Sequence, residues 1–414
     1  MINLTILSLL FLTAFTRCSS TPALAPESTH SGAVPPISDT AGLDPEKRAR
    51  RLLQTTPIID THIDFPYRLA ERGVWPKAGF EALALRHPEG HFDYERARKG
   101  GLSGAFMSIY IPAAYQQKPP GSARALADSL IDLVHAVARA YPDKFAVAHR
   151  ADDIERNFQK GIVSLPMGME NGAPIETLAD VAYFHQRGIR YVTLAHSRDN
   201  RISDSSYDTS RTHGGLSDFG RDVVREMNRV GIMVDVSHLS DQAVWDVLAV
   251  STRPVIATHS ACRHFTPGFE RNLPDTLIRA IAQKGGVIQV PFSHHFLSTE
   301  SRRAFRAAEA RMKDQKINKE SPKARRFMEK QLLHAGFGVR HVADHIDHIR
   351  RIAGIDHVGL GSDFDGVGLA IPPDLADVSM YPNLIAELFR RGYTDEEVRK
   401  VCYLNVLRVW KANE

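Results

Sequence analysis

Cysteine is scarce in this sequence, which has three cysteines in 414 residues: Cys18, Cys262 and Cys402. No two of them form a CxxC pair, which excludes a zinc site built from paired thiolates. Cys262 and Cys402 can form a disulfide only if the fold brings them together, and the sequence leaves that open.

A strong excess of charge is also lacking, because 52 Lys and Arg residues face 48 Asp and Glu residues, a formal net charge of +4. So small a bias over this length gives no reason to expect nucleic acid as a partner. Hydrophobic residues make up 43% of the chain and charged residues 24%, which is the balance of a soluble globular enzyme with a sizeable core.

A long apolar run is missing as well. The apolar stretch at residues 4–15 is shorter than the roughly 20 residues that a membrane-spanning helix needs. It is typical of the centre of a secretory signal, although no basic leader precedes it. Cys18 and the following Ser-Ser-Thr-Pro resemble the start of a bacterial lipoprotein tether, although Arg17 stands where a small residue is usual. A buried or frayed apolar end is the alternative.

We therefore expect an exported protein, either periplasmic or anchored to the membrane as a lipoprotein. Residues 1–18 are predicted to be the signal segment. Residues 19–43 are rich in Ser, Thr, Pro, Ala and Gly and predict a flexible linker. A charged helix is expected to begin near Asp44 and Pro45, because proline is well suited to the first turn of a helix.

Beyond the linker, strand-length apolar runs alternate with helical patterns. The runs are residues 58–64, 104–111, 162–170, 191–196, 232–238, 255–259, 287–290 and 358–363. Helical patterns between them include residues 218–230, 241–250, 274–283 and 339–352. Continuous apolar strands separated by helices predict a parallel sheet covered on both faces. Eight such units predict an α/β fold, a (β/α)8 barrel formed by residues 44–414 as one domain.

One segment interrupts this alternation. Residues 299–331 are basic and dense in charge. They predict a helical insertion outside the barrel or a lid over it. The composition is typical of a solvated helical face, and a membrane-binding or partner-binding patch is the alternative.

Six of the apolar runs end in a histidine or a carboxylate, residues that can bind metal or transfer protons. The active sites of such barrels lie at the carboxyl ends of the strands. These residues are His62, Asp64, Glu170, His196, His238, His259 and Asp363. Their regular position predicts that they meet at one site.

His62 and Asp64 lie two apart in a strand pattern and so point to the same face, where they could meet one metal ion. A hydrogen-bonded polar pair is the alternative. Glu170 lies among small residues and has two oxygens with which to bridge two metals, unless it is a solvated loop residue. His238 and His259 end consecutive strands. Alone, each would be a core histidine, but three histidines and two carboxylates match two metal sites with a shared ligand.

Three further residues suit work on a substrate. Asp363 could accept a proton from an attacking water, or simply stabilise a glycine-rich turn. His196 could donate a hydrogen bond to a carbonyl as charge develops on it. Arg271 offers a planar fork matched to a carboxylate, or else forms a salt bridge at the start of a helix.

His341, His345 and His348 share one face of a predicted helix. No glutamate follows the first of them, so the HExxH pattern of many zinc proteases is absent. We interpret the three as residues of the helix surface or of the layer behind the site.

Taken together, the motifs resemble those of the membrane (renal) dipeptidase family. The matching segments are DTHIDFP, GMENG, YVTLAHSRDN, VDVSHLS, VIATHSACR, RNLPD and GLGSDFDG, in that order, within residues 45–410. The resemblance implies a (β/α)8 metallohydrolase with two zinc ions. It implies His62 and Asp64 as ligands of one zinc, His238 and His259 as ligands of the other, and Glu170 as the bridging carboxylate. His196, Arg271 and Asp363 match positions that contact substrate, with Asp363 also moving protons.

The expected function is zinc-dependent hydrolysis of the peptide bond of dipeptides by a hydroxide that bridges the two metals. Glu170, His196 and Asp363 are the expected catalytic residues, and Arg271 would bind the free carboxylate of the second residue. One alternative is another barrel amidohydrolase acting on cyclic amides or lactones, against which Arg271 and the GMENG motif argue. The other is a catalytically silent binding lipoprotein, against which the complete ligand set argues. The expected partners are dipeptides, without nucleic acid; an amino-terminal membrane tether and a homodimer are left open.

Overall fold

A ring of parallel strands forms the centre of the computed structural model, which describes residues 42–414. The strands are β1 (Ile58–Ile63), β2 (Leu102–Tyr110), β3 (Phe145–Ala146), β4 (Val163–Ser164), β5 (Met167–Glu170), β6 (Ile189–Thr193), β7 (Met233–Asp235), β8 (Ile256–Ala257), β9 (Val287–Val290) and β10 (Val358–Leu360). The predicted signal segment, and all of the predicted linker except its last two residues, lie outside the described residues.

Eight of these strands follow one another around the ring in the order β1, β2, β5, β6, β7, β8, β9 and β10, and each neighbouring pair is parallel. The ring closes where Ile63 forms a parallel bridge with Phe364. There the Asp64 N–H donates to the Phe364 carbonyl (2.8 Å), and the Asp363 N–H donates to the His62 carbonyl (3.1 Å). The predicted (β/α)8 barrel is therefore confirmed, and each of its eight strands falls on one of the predicted apolar runs.

The strands are buried because their apolar side chains face either the barrel interior or the surrounding helices. All six residues of β1 are buried, as are the four of β5 and the four of β9. Inside the barrel, Phe106, Tyr191 and Trp410 belong to one apolar cluster. Gly168 makes room for this packing, because a Cβ at that position would lie 2.0 Å from the Tyr191 ring.

Helices surround the ring. The α-helices are Pro45–Leu52, Phe65–Glu71, Ala82–Leu85, Tyr94–Gly100, Ser122–Ala140, Ala151–Gln159, Leu178–Gln186, Asp218–Val230, Asp241–Val250, Asp275–Gln283, His294–Leu297, Thr299–Asp314, Pro322–His334, Val339–Ala353, Tyr381–Arg390, Asp395–Arg399 and Asn405–Asn413. Short 3-10 turns lie at Ala113–Gln117, Arg263–Phe265, Ile355–His357, Pro373–Leu375 and Val378–Met380, and a π-helical turn at Lys400–Leu404. Within residues 42–414, no helix combines the length and apolar character needed to cross a membrane.

The basic segment forms two helices, Thr299–Asp314 and Pro322–His334. They share a small apolar cluster of their own, which includes Phe305, Met312 and Met328. The sequence interpretation of the following helix needs a correction. His345 and His348 are 0% and 3% exposed, so the part of the prediction that places these two on the helix surface is wrong.

The buried histidines support a loop near the strand ends. His345 Nδ1 accepts from the Cys262 N–H (3.0 Å), and its Nε2 lies 2.8 Å from the Leu297 carbonyl. A helical period shows which residues share a face, but not whether a neighbouring loop covers that face. Cys262 and Cys402 are both buried and free, so they form no disulfide with one another.

Candidate active site

Six of the eight predicted site residues line an open cavity of about 810 Å³ at the carboxyl ends of the strands, whereas His62 and Arg271 are not among its lining residues. Its walls include Asp64, Glu170, His196, His238, His259 and Asp363, together with the aromatic residues Tyr67, Tyr110, Tyr207 and Phe296. The structure thus brings together side chains that are spread over three hundred residues of the sequence. The aromatic wall was not predicted, because Tyr67 and Phe296 belong to helices, Tyr207 lies in a loop, and Tyr110 ends β2 as an ordinary residue of an apolar run.

Glu170 lies at the centre of the cluster. Its Oε1 is 3.1 Å from His238 Nε2, 3.4 Å from His259 Nε2 and 3.6 Å from His196 Nε2. Its Oε2 is 3.4 Å from His62 Nε2. One carboxylate therefore contacts four imidazoles, one in β1 and the others just after β6, β7 and β8.

The donor atoms in this cluster fit metal ions. His62 Nε2 and Asp64 Oδ1 are buried without a hydrogen-bond partner, although buried polar groups are nearly always paired. His238 Nε2 and His259 Nε2 lie 2.8 Å apart, and both face Glu170. Nitrogen and oxygen donors converging in this way are ligands that zinc and other divalent transition metals prefer.

The donor atoms form three groups, and within each group the atoms lie within 4.8 Å of one another. The groups are His62 with Glu170 and His259, Glu170 with His196 and His238, and His62 with Asp64 and Asp363. The five predicted ligands all belong to these overlapping groups. The groups also include His196 and Asp363, which the sequence assigned to the substrate. The groups overlap, because Glu170 and His62 each belong to two of them.

Electrostatics also favour a cation here. Burial alone would lower the pKa of His62, but Tyr191, Glu170 and Asp64 together raise it well above its usual value. Burial raises the pKa of Glu170, yet His62 and His196, with hydrogen bonds from other histidines, bring it well below its usual range. The point between Glu170 and Asp64 thus attracts positive charge.

The orientation of His62 depends on Tyr191, which the sequence analysis treated as an ordinary strand residue. The Tyr191 hydroxyl lies 2.9 Å from His62 Nδ1 and donates to the Thr61 carbonyl (3.1 Å). Since its proton is used in that bond, the hydroxyl accepts from His62 Nδ1. This assigns the proton of a neutral His62 to Nδ1 and leaves the Nε2 lone pair directed at the cluster.

His259 is oriented by a chain of hydrogen bonds. Its Nδ1 lies 2.9 Å from Thr258 Oγ1, which donates to Asp235 Oδ2 (2.7 Å). Thr193 also donates its hydroxyl to Asp235. Thr258 therefore accepts from His259 Nδ1, and the Nε2 lone pair again faces the cluster.

Asp60 and Asp235 are buried carboxylates that the sequence analysis missed. Asp60 Oδ1 accepts the N–H groups of His62 and Ser362, both at 3.0 Å. Asp235 Oδ1 accepts the N–H groups of Ser237 (3.0 Å) and Thr258 (2.9 Å). Each carboxylate ties its own strand end to a neighbouring one. A sequence signal did exist, namely an aspartate two or three positions before a strand-end histidine.

Backbone strain is concentrated at the same strand ends. His238, Asp363, Asp365 and Asn171 have φ values of +69°, +67°, +67° and +79°, in the left-handed region that non-glycine residues rarely adopt. Such residues persist only where the surroundings hold them, commonly at functional sites. Gly366 allows the close approach of two carboxylates, because a Cβ there would lie 2.3 Å from Asp64 Oδ2 and 2.5 Å from Asp363 Oδ1.

The predicted substrate-contacting residues lie around the cluster. The His196 ring packs on His238 at 4.1 Å between centroids, and burial lowers the pKa of His196. Burial raises the pKa of Asp363 well above its usual value; His62 opposes that shift, while Asp64 and Glu170 add to it.

Arg271 is 2% exposed. It donates to the His259 carbonyl (2.8 Å) and to Ser260 Oγ (3.2 Å), and its Nε has no hydrogen-bond partner. Its guanidinium carbon lies 5.1 Å from the centre of the Phe296 ring. No carboxylate among the described residues forms an ion pair with Arg271, so the alternative of a salt bridge at the start of a helix is not observed. A buried cation without a counterion suits an anionic ligand.

The chain was also compared with known proteins. A family model described as membrane dipeptidase (Peptidase family M19) matches residues 46–414. Dipeptidase verJ of Clonostachys rogersoniana is 35% identical over 390 residues, which cover 92% of this chain and 90% of that protein.

Solved structures give the same result. The probable dipeptidase PvdM from Pseudomonas aeruginosa superposes with a TM-score of 0.73 at 28% identity, covering 89% of this chain and 98% of that one. A metallo peptidase from Rhodobacter sphaeroides, liganded with a phosphinate mimic of the dipeptide L-Ala-D-Ala, superposes with a TM-score of 0.72 at 29% identity. That match covers 87% of this chain and 100% of the other.

Proposed function

The chain belongs to the membrane dipeptidase family and hydrolyses dipeptides with the help of a metal, and we propose that the metal is a pair of zinc ions. The observation that carries this proposal is the position of Glu170, whose two oxygens face different imidazoles. His62 and Asp64 would hold one ion, His238 and His259 the other, and Glu170 both. When bound, the zinc pair supplies a hydroxide nucleophile at neutral pH, because zinc lowers the pKa of a water ligand to about 7.

The protein's own residues would then bind the dipeptide and handle charge and protons. His196, beside Glu170, would donate a hydrogen bond to the carbonyl oxygen as negative charge develops on it. Asp363, within reach of His62 and Asp64, would take a proton from the attacking water and pass it to the leaving amine. Arg271 would pair with the carboxylate of the second residue, which restricts the enzyme to short substrates.

The test is a hydrolysis assay on purified protein with L-Ala-L-Ala and L-Ala-D-Ala, with and without a chelator. We expect that the protein cleaves at least one free dipeptide, that the chelator stops this cleavage, and that adding Zn²⁺ restores it. A panel of lactones and cyclic amides tests the alternative of another barrel amidohydrolase. Cleavage of those compounds without dipeptide cleavage would contradict the proposal. Bound metal without hydrolysis of either class would instead indicate a silent binding protein.

The hydrogen-bond chain behind His259 makes a first prediction about metal affinity. Thr258→Val removes the acceptor for His259 Nδ1 while keeping the shape of the side chain. We expect zinc affinity to fall by about 10- to 100-fold, the usual effect of removing a group that orients a ligand. Thr193→Val is the matched control, because Thr193 also donates to Asp235 but does not contact His259. Equal zinc affinities for the two variants, measured by competition with a chelating dye, would contradict this role for Thr258.

We also propose that the protein is exported, either as a periplasmic protein or tethered to the membrane through Cys18. This proposal depends on the sequence of residues 4–22, which lie outside the described residues. The mature protein is expected to begin at or after residue 18, which mass spectrometry of protein from the native cell would check. Recovery of an intact Met1 would contradict export, whereas a Cys18→Ala variant that stays membrane-bound would contradict the tether alone. The homodimer stays a prediction that the molecular mass in solution would check.

A further inference from the structure

A second cavity, of about 340 Å³, adjoins the substrate cavity. Arg68 and Val367, which follow β1 and β10, line both cavities. The far wall of the second cavity belongs to the helical insertion and includes Arg325. A group that extends from the substrate cavity past Arg68 therefore enters a space closed by the insertion.

We call this second cavity the basic pocket, because its walls include Arg68, Arg72, Lys319, Arg325 and Arg326. Arg68 and Arg325 converge on one point, since both donate to the carbonyl oxygen of Glu89, at 3.1 and 3.3 Å. The Nε of Arg68 has no hydrogen-bond partner and lies 3.5 Å from Asp365 Oδ1. Both guanidiniums thus keep donor capacity beyond their protein contacts.

The positive charge of the pocket is only partly compensated. Three glutamates stand in its walls beside five Arg and Lys residues: Glu89 and Glu320 are both paired with Arg72, and Glu309 is the third. Arg325 is half-buried, and it forms no ion pair with any carboxylate among residues 42–414. A partly buried guanidinium without a counterion favours an anionic ligand.

Neighbouring histidines show the same excess of positive charge. Burial lowers the pKa of His91 well below its usual value, and Arg325 and Arg68 lower it further. Burial, with the charges of Arg302 and Arg306, lowers the pKa of His295 to about 4. Both histidines line the basic pocket. Burial is the larger cause of both shifts, and the arginine charges add to it in the direction that disfavours further positive charge.

The two cationic features follow different strands of the ring, and only β9 lies between β8 and β10. Arg271 follows β8, whereas Arg68 and Val367 follow β1 and β10, which are neighbours in the ring. Arg68 lines the substrate cavity as well as the second cavity, so if Arg271 binds the carboxylate of the second residue, Arg68 is left to meet a group of the first residue. This step rests on the proposed function.

We propose that the basic pocket receives an acidic side chain from the first residue of the dipeptide. The preferred substrates are then dipeptides that begin with Glu or Asp. Arg68 contacts the carboxylate at the mouth of the pocket, and Arg325 supplies the second guanidinium from the insertion.

The test compares kcat/KM for Glu-Ala and Gln-Ala, which differ by one charge, on the zinc-loaded full chain. We expect Glu-Ala to be favoured by about tenfold or more, as for a charged hydrogen bond. Arg325→Gln should lower that ratio towards one. Arg303→Gln is the matched control, because it removes the same charge from an exposed position of the same helical insertion outside the pocket. It should keep the native ratio.

Two further comparisons make the assignment specific. Arg325→Glu should reverse the preference so that Lys-Ala is cut better than Glu-Ala, a gain that misfolding cannot produce. Ala-Glu and Ala-Gln should be cut at similar rates, and a charge preference at that second position instead would overturn the assignment to the first residue.

The proposal is also overturned if Glu-Ala is no better than Gln-Ala, or if Arg325→Gln and Arg303→Gln have the same ratio. Cleavage of Gln-Ala in those cases would leave the dipeptidase function standing. Failure to cut any dipeptide with metal present would overturn the proposed function and this inference with it.

Discussion

His62→Ala and His238→Ala are each expected to abolish turnover and to lower the zinc content from two ions per chain to about one. The two imidazoles face different oxygens of Glu170, at 3.4 Å from Oε2 and 3.1 Å from Oε1, so each variant removes a ligand from one side of the shared carboxylate. Losing one positioned electrostatic group typically costs about 10²–10³ in kcat, and losing an ion should cost at least that much. Elemental analysis and kcat on a free dipeptide measure the two effects.

His196→Ala is the control for this experiment. His196 is another imidazole beside Glu170, partly buried and 3.6 Å from its Oε1, and it belongs to a donor group with His238. If it binds substrate, the variant keeps two ions while kcat falls by about 10²–10³. Loss of an ion would instead make His196 a ligand. Full activity of His62→Ala or His238→Ala with a single ion would refute the two-metal proposal.

The barrel could be predicted because its strands are buried and largely apolar, and helical patterns separate most of them in the sequence. The prediction was least accurate at residues 162–170, which the sequence analysis treated as one run. The structure divides it into Val163–Ser164, which pairs with Phe145–Ala146, and Met167–Glu170, which is a strand of the ring. Pro166 lies between them, and proline has no N–H with which to continue a strand ladder.

The position of the site could be predicted because parallel strands bring their carboxyl ends to one rim. The side chains that support the site could not be predicted, because their hydrogen-bond partners are distant in the sequence. Tyr381 donates its hydroxyl to Asp60 across 321 positions, and Thr258 donates to Asp235 across 23. Tyr191 occupies a strand position that an apolar residue would fill equally well in a sequence pattern. Only the closed ring shows that its hydroxyl lies under His62.

The basic pocket is a second feature that could not be predicted from the sequence. The charge density of residues 299–331 indicated a solvated helical face, and much of it is exposed. Sequence periodicity cannot show that Arg325 of this segment turns towards Arg68, 257 positions earlier in the chain, through their shared contact with Glu89. The insertion thus contributes to the walls around the barrel mouth as well as to the surface.

Arg271→Ala is expected to lower kcat/KM on free dipeptides by at least about 10- to 150-fold, the value of a charged hydrogen bond, because the substrate carboxylate would lose its partner. Two of the donors of Arg271 are held by the His259 carbonyl and Ser260 Oγ, and these contacts orient the guanidinium while its Nε stays unpaired. Arg271→Lys should restore little of the lost kcat/KM, since an ammonium group lacks the planar fork. Dipeptide amides should be weak substrates for the native enzyme, and neither variant should change their cleavage rate much. Zinc content must be measured alongside, because Arg271 contacts the backbone of His259, and it should stay at the native value. Equal cleavage of amides and free dipeptides by the native enzyme would show that Arg271 does not recognise the carboxylate, and that the restriction to dipeptides has another source.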